Sequence, residues 1–138
     1  MNQHEPMLPF FVYGTLRRSY TNYYLLRDAV VEEHVGFLEN ATMTVSYVPF
    51  VYLDIDGGGV VGEVITVAAE AYRPVLRNLD TLEGYRGPGH DNMYEREVVK
   101  IRLATGEYIQ CWAYLVIRDN AAKQIIASGD YADYRRRS

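Results

Sequence analysis

Tyr94 to Ile117 reads YEREVVKIRLATGEYIQCWAYLVI, and this stretch decides the fold class. Tyr94 to Leu103 and Glu107 to Ile117 are long runs rich in β-branched and aromatic residues. Ala104-Thr105-Gly106 joins them with the glycine that a tight connection needs, so the pair reads as a β-hairpin. Alternation at period two places Tyr94 and Arg96 on one face of the first strand. It does the same for Trp112 and Tyr114 on the second. Packing in the core is the default for both pairs, and Tyr94 and Tyr114 are the two that carry a hydroxyl to offer a pocket.

Before the hairpin, Ala68 to Leu82 is the clearest helix. Leu76, Leu79 and Leu82 recur at i+3 and make one apolar stripe. Pro74 is tolerated only in a first turn, which puts the start within Ala71 to Arg73. Gly84 ends the helix, and Arg86 to Asn92 is a loop. Val60 to Val67 is a strand that follows the turn Asp56-Gly57-Gly58-Gly59. Val31 to Val35, Thr42 to Val45 and Val51 to Ile55 are short strands, and Ser46 to Phe50 interrupts them because Pro49 cannot donate to a ladder. Phe10 to Val12 is a short buried strand with Pro9 at its start. Arg17 to Ala29 predicts a short helix with Thr21 as its N-cap. After the hairpin, Asp119 caps a last short helix through Ile126, and residues 128–138 form a polar tail rich in tyrosine and arginine. Strands outnumber helices and helices separate them at two places. The expectation is one α+β domain over residues 1–138, a small mixed-strand β-barrel with two or three short helices.

The whole chain of 138 residues is 49% apolar and 23% charged, which suits a single packed core. Its net charge of −4 supplies no basic face, so a nucleic-acid partner is not expected. No apolar run approaches the ~20 residues of a membrane helix. Cys111 is the one cysteine, which excludes an internal disulfide and a cysteine-rich metal site. Met1 to Pro9 is polar and does not read as a signal peptide. The protein is therefore expected to be soluble, reduced and cytoplasmic. Thirteen tyrosines stand against four phenylalanines and one tryptophan. They lie on the surface, or they line a wet cavity toward which their hydroxyls point.

Tyr13-Gly14-Thr15-Leu16 sits where a buried strand stops ahead of a helix. Such a junction leaves several N–H groups unpaired and aimed one way, and the glycine lets a ligand approach the backbone. The result is a site for an anion or a carbonyl oxygen, or a tight turn with no ligand. It is not a phosphate-binding loop, since the lysine and the glycine spacing are missing. Asp80-Thr81-Leu82-Glu83-Gly84-Tyr85 also has two readings. Asp80 and Glu83 can form a capping box, with Glu83 exposed. Alternatively Glu83 is buried beside Leu82 and Tyr85, and with Asp80 near it has a pKa raised toward neutrality, which suits a general acid/base. His4, His34 and His90 have no ligand spacing, and no serine or cysteine stands at a nucleophile elbow. No motif supports a metal or a nucleotide cofactor.

Taken in order, several pieces resemble the gamma-glutamyl cyclotransferase-like family. They are Phe11 to Arg18 with Asn22, Tyr47 to Pro49, Gly62 to Val64, and Leu79 to Tyr85. Tyr94 to Arg96, Cys111 to Tyr114 and Ser128 to Tyr131 complete the set. The resemblance implies a small mixed barrel with a pocket at one end, lined by Tyr13 to Leu16. Glu83 would act as acid/base in releasing 5-oxoproline from a small gamma-glutamyl substrate, without metal or cofactor. Phe50 follows Pro49 where the family commonly has a small residue, which narrows the expected pocket. A binding or sensing module that keeps the pocket without turnover is the alternative. The closing segment lies over the pocket or in solvent, and the run Arg135-Arg136-Arg137 favours solvent. Oligomeric state is not legible.

Overall fold

The computed structural model describes residues 5–17, 22–46, 48–117 and 124–137. Five strands close a barrel: β1 (Phe10–Val12), β2 (Val30–Leu38), β5 (Val60–Val67), β6 (Glu95–Leu103) and β7 (Tyr108–Leu115), hydrogen-bonded in the order β1-β5-β2-β6-β7. All seams are antiparallel except the one that closes the ring, where Phe10 of β1 lies parallel to Trp112 of β7. β3 (Ala41–Val45), β4 (Pro49–Leu53) and β8 (Gln124–Ile125) form a second sheet in the order β4-β3-β8. Three short helices, α1 (Tyr24–Arg27), α2 (Tyr72–Leu82) and α3 (Tyr131–Arg137), accompany the strands, with a 3₁₀ turn over Ala69–Ala71. The architecture is the mixed α+β barrel expected. No helix among the described residues is long and apolar enough to cross a membrane.

Alternation sorts the side chains of the barrel into two apolar layers. Phe11, Val64, Ile101, Cys111 and Ala113 point into the barrel. Phe10, Val12, Ile65, Trp112 and Tyr114 point outward and are covered by Val75, Leu76 and Leu79 of α2. Pro74 occupies the first turn of α2, as its missing N–H requires. The stripe on α2 differs from expectation at its end. Leu76 and Leu79 are buried, whereas Leu82 is exposed.

Four local expectations are corrected. β2 does not stop at Gly36 but runs through it, because this glycine lies against a neighbour; a Cβ there would stand 2.5 Å from Ile101 Cγ2. Pro49 begins β4 rather than breaking the sheet, and Val45 pairs with it while Thr44 pairs with Phe50. A first strand position tolerates a residue with no N–H. The helix expected over Arg17 to Ala29 contracts to α1, whose preceding residue Tyr23 gives no side-chain cap, and Thr21 lies outside the described residues. Asp119 also lies outside them, and the segment expected to end a helix at Ile126 is instead β8, paired with Thr44 and Val45. The open edge of β3 needs main-chain partners, and that pairing prevails over local helix preference.

The closing segment is docked at its start, while the run Arg135 to Arg137 is exposed, as expected. Tyr131 is buried in the barrel-side core, and Asp130 bridges Val61. Gly129 makes this possible. Its φ is +65°, its carbonyl accepts a hydrogen bond from the Val61 N–H at 2.8 Å, and an added Cβ would stand 1.9 Å from the Gly59 carbonyl oxygen. Gly129→Ala combines left-handed strain with a backbone clash. It is expected to cost at least about 2 kcal/mol in a urea melt. Wild-type stability in that variant would show the segment to be undocked.

Candidate active site

β1 ends at Val12, and the chain turns through Tyr13 to Arg17. The carbonyls of this loop are engaged. Arg17 N–H donates to the Gly14 carbonyl at 2.9 Å, and Asn22 N–H donates to the Thr15 carbonyl at 2.9 Å. Asn22 Nδ2 donates to Thr15 Oγ1 at 2.8 Å. Arg17 Nη1 reaches Asp130 Oδ1 at 2.9 Å, tying the far end of the loop to the start of α3. Among the described residues no backbone carbonyl accepts from the N–H of Gly14, Thr15 or Leu16. The loop is held by its acceptors and leaves its donors over. A Cβ on residue 14 would come within 2.6 Å of Pro49 Cγ, so only glycine lets the loop lie this close to β4.

Glu83 follows α2 directly. Its N–H donates to the Leu79 carbonyl at 2.9 Å, and the next residue, Gly84, has φ +67°. Tyr85 N–H then donates to the Asp80 carbonyl at 2.9 Å. This is a glycine-terminated helix end, which fixes where the Glu83 side chain leaves the backbone. Asp80 therefore lies inside the last turns of the helix and is not an N-cap, so the capping-box reading is corrected.

Glu83, the four residues Tyr13 to Leu16, Tyr94 and Tyr114 all line one cavity of about 190 Å³. Asn22, Val48, Pro49, Leu82 and Met93 line it as well. These were not singled out as site residues, since a proline, an asparagine and scattered apolar side chains carry no pattern that marks a pocket wall. Phe50 is not part of the lining. It stacks on Tyr94 with ring centroids 5.5 Å apart, so it supports the wall from behind instead of narrowing the cavity. Leu82 and Met93, both exposed, stand at the mouth.

The cavity shapes the titration of its groups. Burial raises the Glu83 carboxyl from 4.5 to about 7. The end of a helix where it sits carries partial negative charge and is unfavourable for a carboxylate in the same direction. Asp80 contributes nothing to this shift, contrary to the adjacency in sequence. It is turned to β6 and β7, where its Oδ1 accepts from the Tyr114 hydroxyl at 2.6 Å and lies 3.0 Å from Arg96 Nε. Burial pushes the phenols of Tyr13, Tyr94 and Tyr114 well above their usual range, and the nearby Glu83 charge pushes all three further the same way. One weakly acidic carboxyl sharing a cavity with a loop whose N–H groups meet no backbone carbonyl among the described residues can move a proton beside a carbonyl whose oxygen is gaining charge.

Comparison with known proteins agrees with this architecture. The sequence profile described as "Gamma-glutamyl cyclotransferase, AIG2-like" matches residues 10–133. A protein of Methanocaldococcus jannaschii, "Putative gamma-glutamylcyclotransferase MJ1514", is 32% identical over 127 residues, covering 91% of this chain and 96% of its own. The crystal structure of a mouse AIG2-like protein matches with a TM-score of 0.63 at 25% identity, over 79% of this chain and 76% of that one. The uncharacterized protein PH0828 of Pyrococcus horikoshii shares the fold, with a TM-score of 0.63 at 20% identity over 94% of both chains. The chain belongs to the gamma-glutamyl cyclotransferase, AIG2-like family.

Proposed function

We propose that this protein releases 5-oxoproline from a small gamma-glutamyl amino acid or amine, with Glu83 as general acid/base. Family membership supports a cyclotransferase-like enzyme, and one observation carries the finer reading. Glu83, raised to about 7, shares a cavity with Gly14, Thr15 and Leu16, whose amides meet no backbone carbonyl among the described residues.

The substrate brings its own nucleophile, which accounts for the absence of a nucleophilic serine or cysteine motif. The Glu83 carboxylate takes a proton from the α-ammonium. The freed amine attacks the γ-carbonyl carbon and closes a five-membered ring, a reaction that gains from holding both ends in contact. The carbonyl oxygen becomes an oxyanion, for which the loop amides are the donors. The tetrahedral centre collapses, and the bond to the leaving nitrogen breaks as Glu83 returns the first proton to it. Glu83 then carries the second proton from the ring nitrogen to the released amine, which departs as an ammonium ion. Glu83 ends as it began, and each turnover yields one 5-oxoproline and one amine.

The test is to incubate the protein with a panel of gamma-glutamyl amino acids and amines and to quantify both products. Their release in equal amounts is the expected result. Because Glu83 must start as the carboxylate, kcat/KM is expected to fall as pH drops below about 7, with a midpoint well above the 4.5 of an ordinary glutamate. A panel yielding neither product would leave the binding or sensing module as the better reading.

A further inference from the structure

Each phenol in the cavity wall gives its one hydrogen to the protein. Tyr13 donates to the Tyr114 carbonyl at 2.5 Å, and Tyr94 donates to the Pro49 carbonyl at 3.0 Å. A carbonyl has no hydrogen to offer, so the direction of both bonds is settled by the acceptor. Tyr114 is the third, donating to Asp80 Oδ1 at 2.6 Å. Here the direction depends on Asp80 being a carboxylate, and Arg96 Nε stands 3.0 Å from that same oxygen.

A phenol holds one donor and two lone pairs, so none of the three has a hydrogen left for a ligand, and Tyr13 already accepts from the Val51 backbone, which leaves Tyr94 and Tyr114 as the better acceptors. On the loop from Gly14 to Leu16, the Gly14 and Thr15 carbonyls are engaged, and among the described residues no backbone carbonyl accepts from the three N–H groups. The cavity is thus divided into an accepting wall, which includes Glu83, and a donating one. Of the three acceptors, Tyr114 alone owes its polarity to a side chain that can change.

We propose that Asp80, gripped by Arg96, is a positioning residue that locks Tyr114 as a hydrogen-bond acceptor and thereby makes this wall a receptor for a primary ammonium group. The inference rests on the proposed function, in which the substrate carries such a group, and adds what aligns it beside Glu83. The lock is rigid. The Arg96 side chain is 3% exposed, is held by Glu5 at 2.9 Å, and lies over the rings of Trp112 and Tyr85 at 4.5 and 5.0 Å. Asp80 cannot follow a ligand without leaving this buried cation. A leucine at position 80 would reverse the logic. With no acceptor there, the phenolic hydrogen of Tyr114 is released toward the cavity, where it would meet an ammonium donor to donor, whereas an asparagine would keep its oxygen against Arg96 Nε and go on accepting from Tyr114.

The test needs no turnover. Calorimetric titration with L-glutamate and with glutarate compares two ligands that share a skeleton and differ in the ammonium. Wild type is expected to prefer L-glutamate. Asp80→Leu and Tyr114→Phe should each reduce that preference by about tenfold or more, as for loss of one hydrogen bond to a charged group. Glutarate affinity should hold. Asp80→Leu should add nothing in the Tyr114→Phe background, because Asp80 acts through that hydroxyl. Asp80→Glu keeps the carboxylate and should retain most of the preference. Equal binding of both probes by wild type, or no binding of either, overturns the proposal. So does undiminished preference in Tyr114→Phe, which leaves the Asp80–Arg96 pair intact and decides the matter if Asp80→Leu does not fold. An inactive wild type that still prefers L-glutamate would sink the cyclotransferase reading while sparing this one.

Discussion

At pH 8 the Glu83→Gln variant is expected to release 5-oxoproline at least about a hundredfold more slowly than wild type, the usual scale for loss of a general acid/base. It is also expected to be the more stable protein. The two outcomes share a cause. Burial raises the Glu83 carboxyl from 4.5 to about 7, so the folded state holds a proton that the unfolded chain has released. Ionising Glu83 therefore costs folding free energy. That cost is absent below pH 4.5, grows through the interval up to about 7, and is complete above it. The interval sets an upper bound of about 3 kcal/mol, and solvent reaching the carboxylate through the mouth lowers the expected gain to about 2 kcal/mol. Glutamine keeps the shape and never ionises, so it escapes the cost. Urea melts at pH 5 and pH 8, run beside the product assay, check both halves. Wild-type turnover in the variant removes Glu83 from the chemistry. An inactive variant that is also less stable at pH 8 points instead to a damaged site.

What was legible in the sequence is mostly local. The hairpin follows from two long β runs about one glycine, and the bounds of α2 follow from Pro74 and Gly84, whose backbone limits hold in any context. The loop Tyr13 to Leu16 and Glu83 were legible as candidates because a strand end and a helix end each leave chemistry behind them. Partnership was not legible. Asp80 and Glu83 are three apart and would share a face on a continuing helix. The helix stops between them, so Asp80 turns to β6 and β7 while Glu83 turns to the cavity. Arg96 meets Glu5 across 91 residues of chain, and β8 exists only because β3 offers an edge. Neither relation leaves a trace in spacing, since each joins segments far apart in the chain.

Arg96→Met is expected to cost the fold about 3 kcal/mol or more, the scale for stripping the partner from a buried charge. Methionine is long and apolar enough to stay between the Trp112 and Tyr85 rings, so the substitution removes charge more than volume. What it leaves is a half-buried Asp80 with no cation beside it. The present arrangement is tight without being ideal. Arg96 Nε and Nη1 make close ion contacts, and the aligned hydrogen bond is the one from Nη2 to Glu5 Oε1 at 3.3 Å. Arg96 and the Tyr114 hydroxyl now offset part of the upward push of burial on Asp80. Without Arg96 the Asp80 pKa rises further, so the destabilisation is complete where Asp80 is ionised and is relieved as pH falls through that raised value. Urea melts should show the gap between variant and wild type narrowing from pH 8 toward pH 4. Adding Asp80→Asn to Arg96→Met should recover part of the loss at pH 8, because a neutral amide needs no counter-charge. The N-terminal segment does not depend on this pair alone. Trp112 Nε1 donates to the Pro6 carbonyl at 3.1 Å and the Tyr72 hydroxyl to the Leu8 carbonyl at 2.5 Å, so it should remain docked in the variant. A loss of equal size at pH 8 and pH 4, with no recovery in the double variant, would assign the contribution of Arg96 to packing and leave Asp80 without the charge partner that its hold on Tyr114 requires.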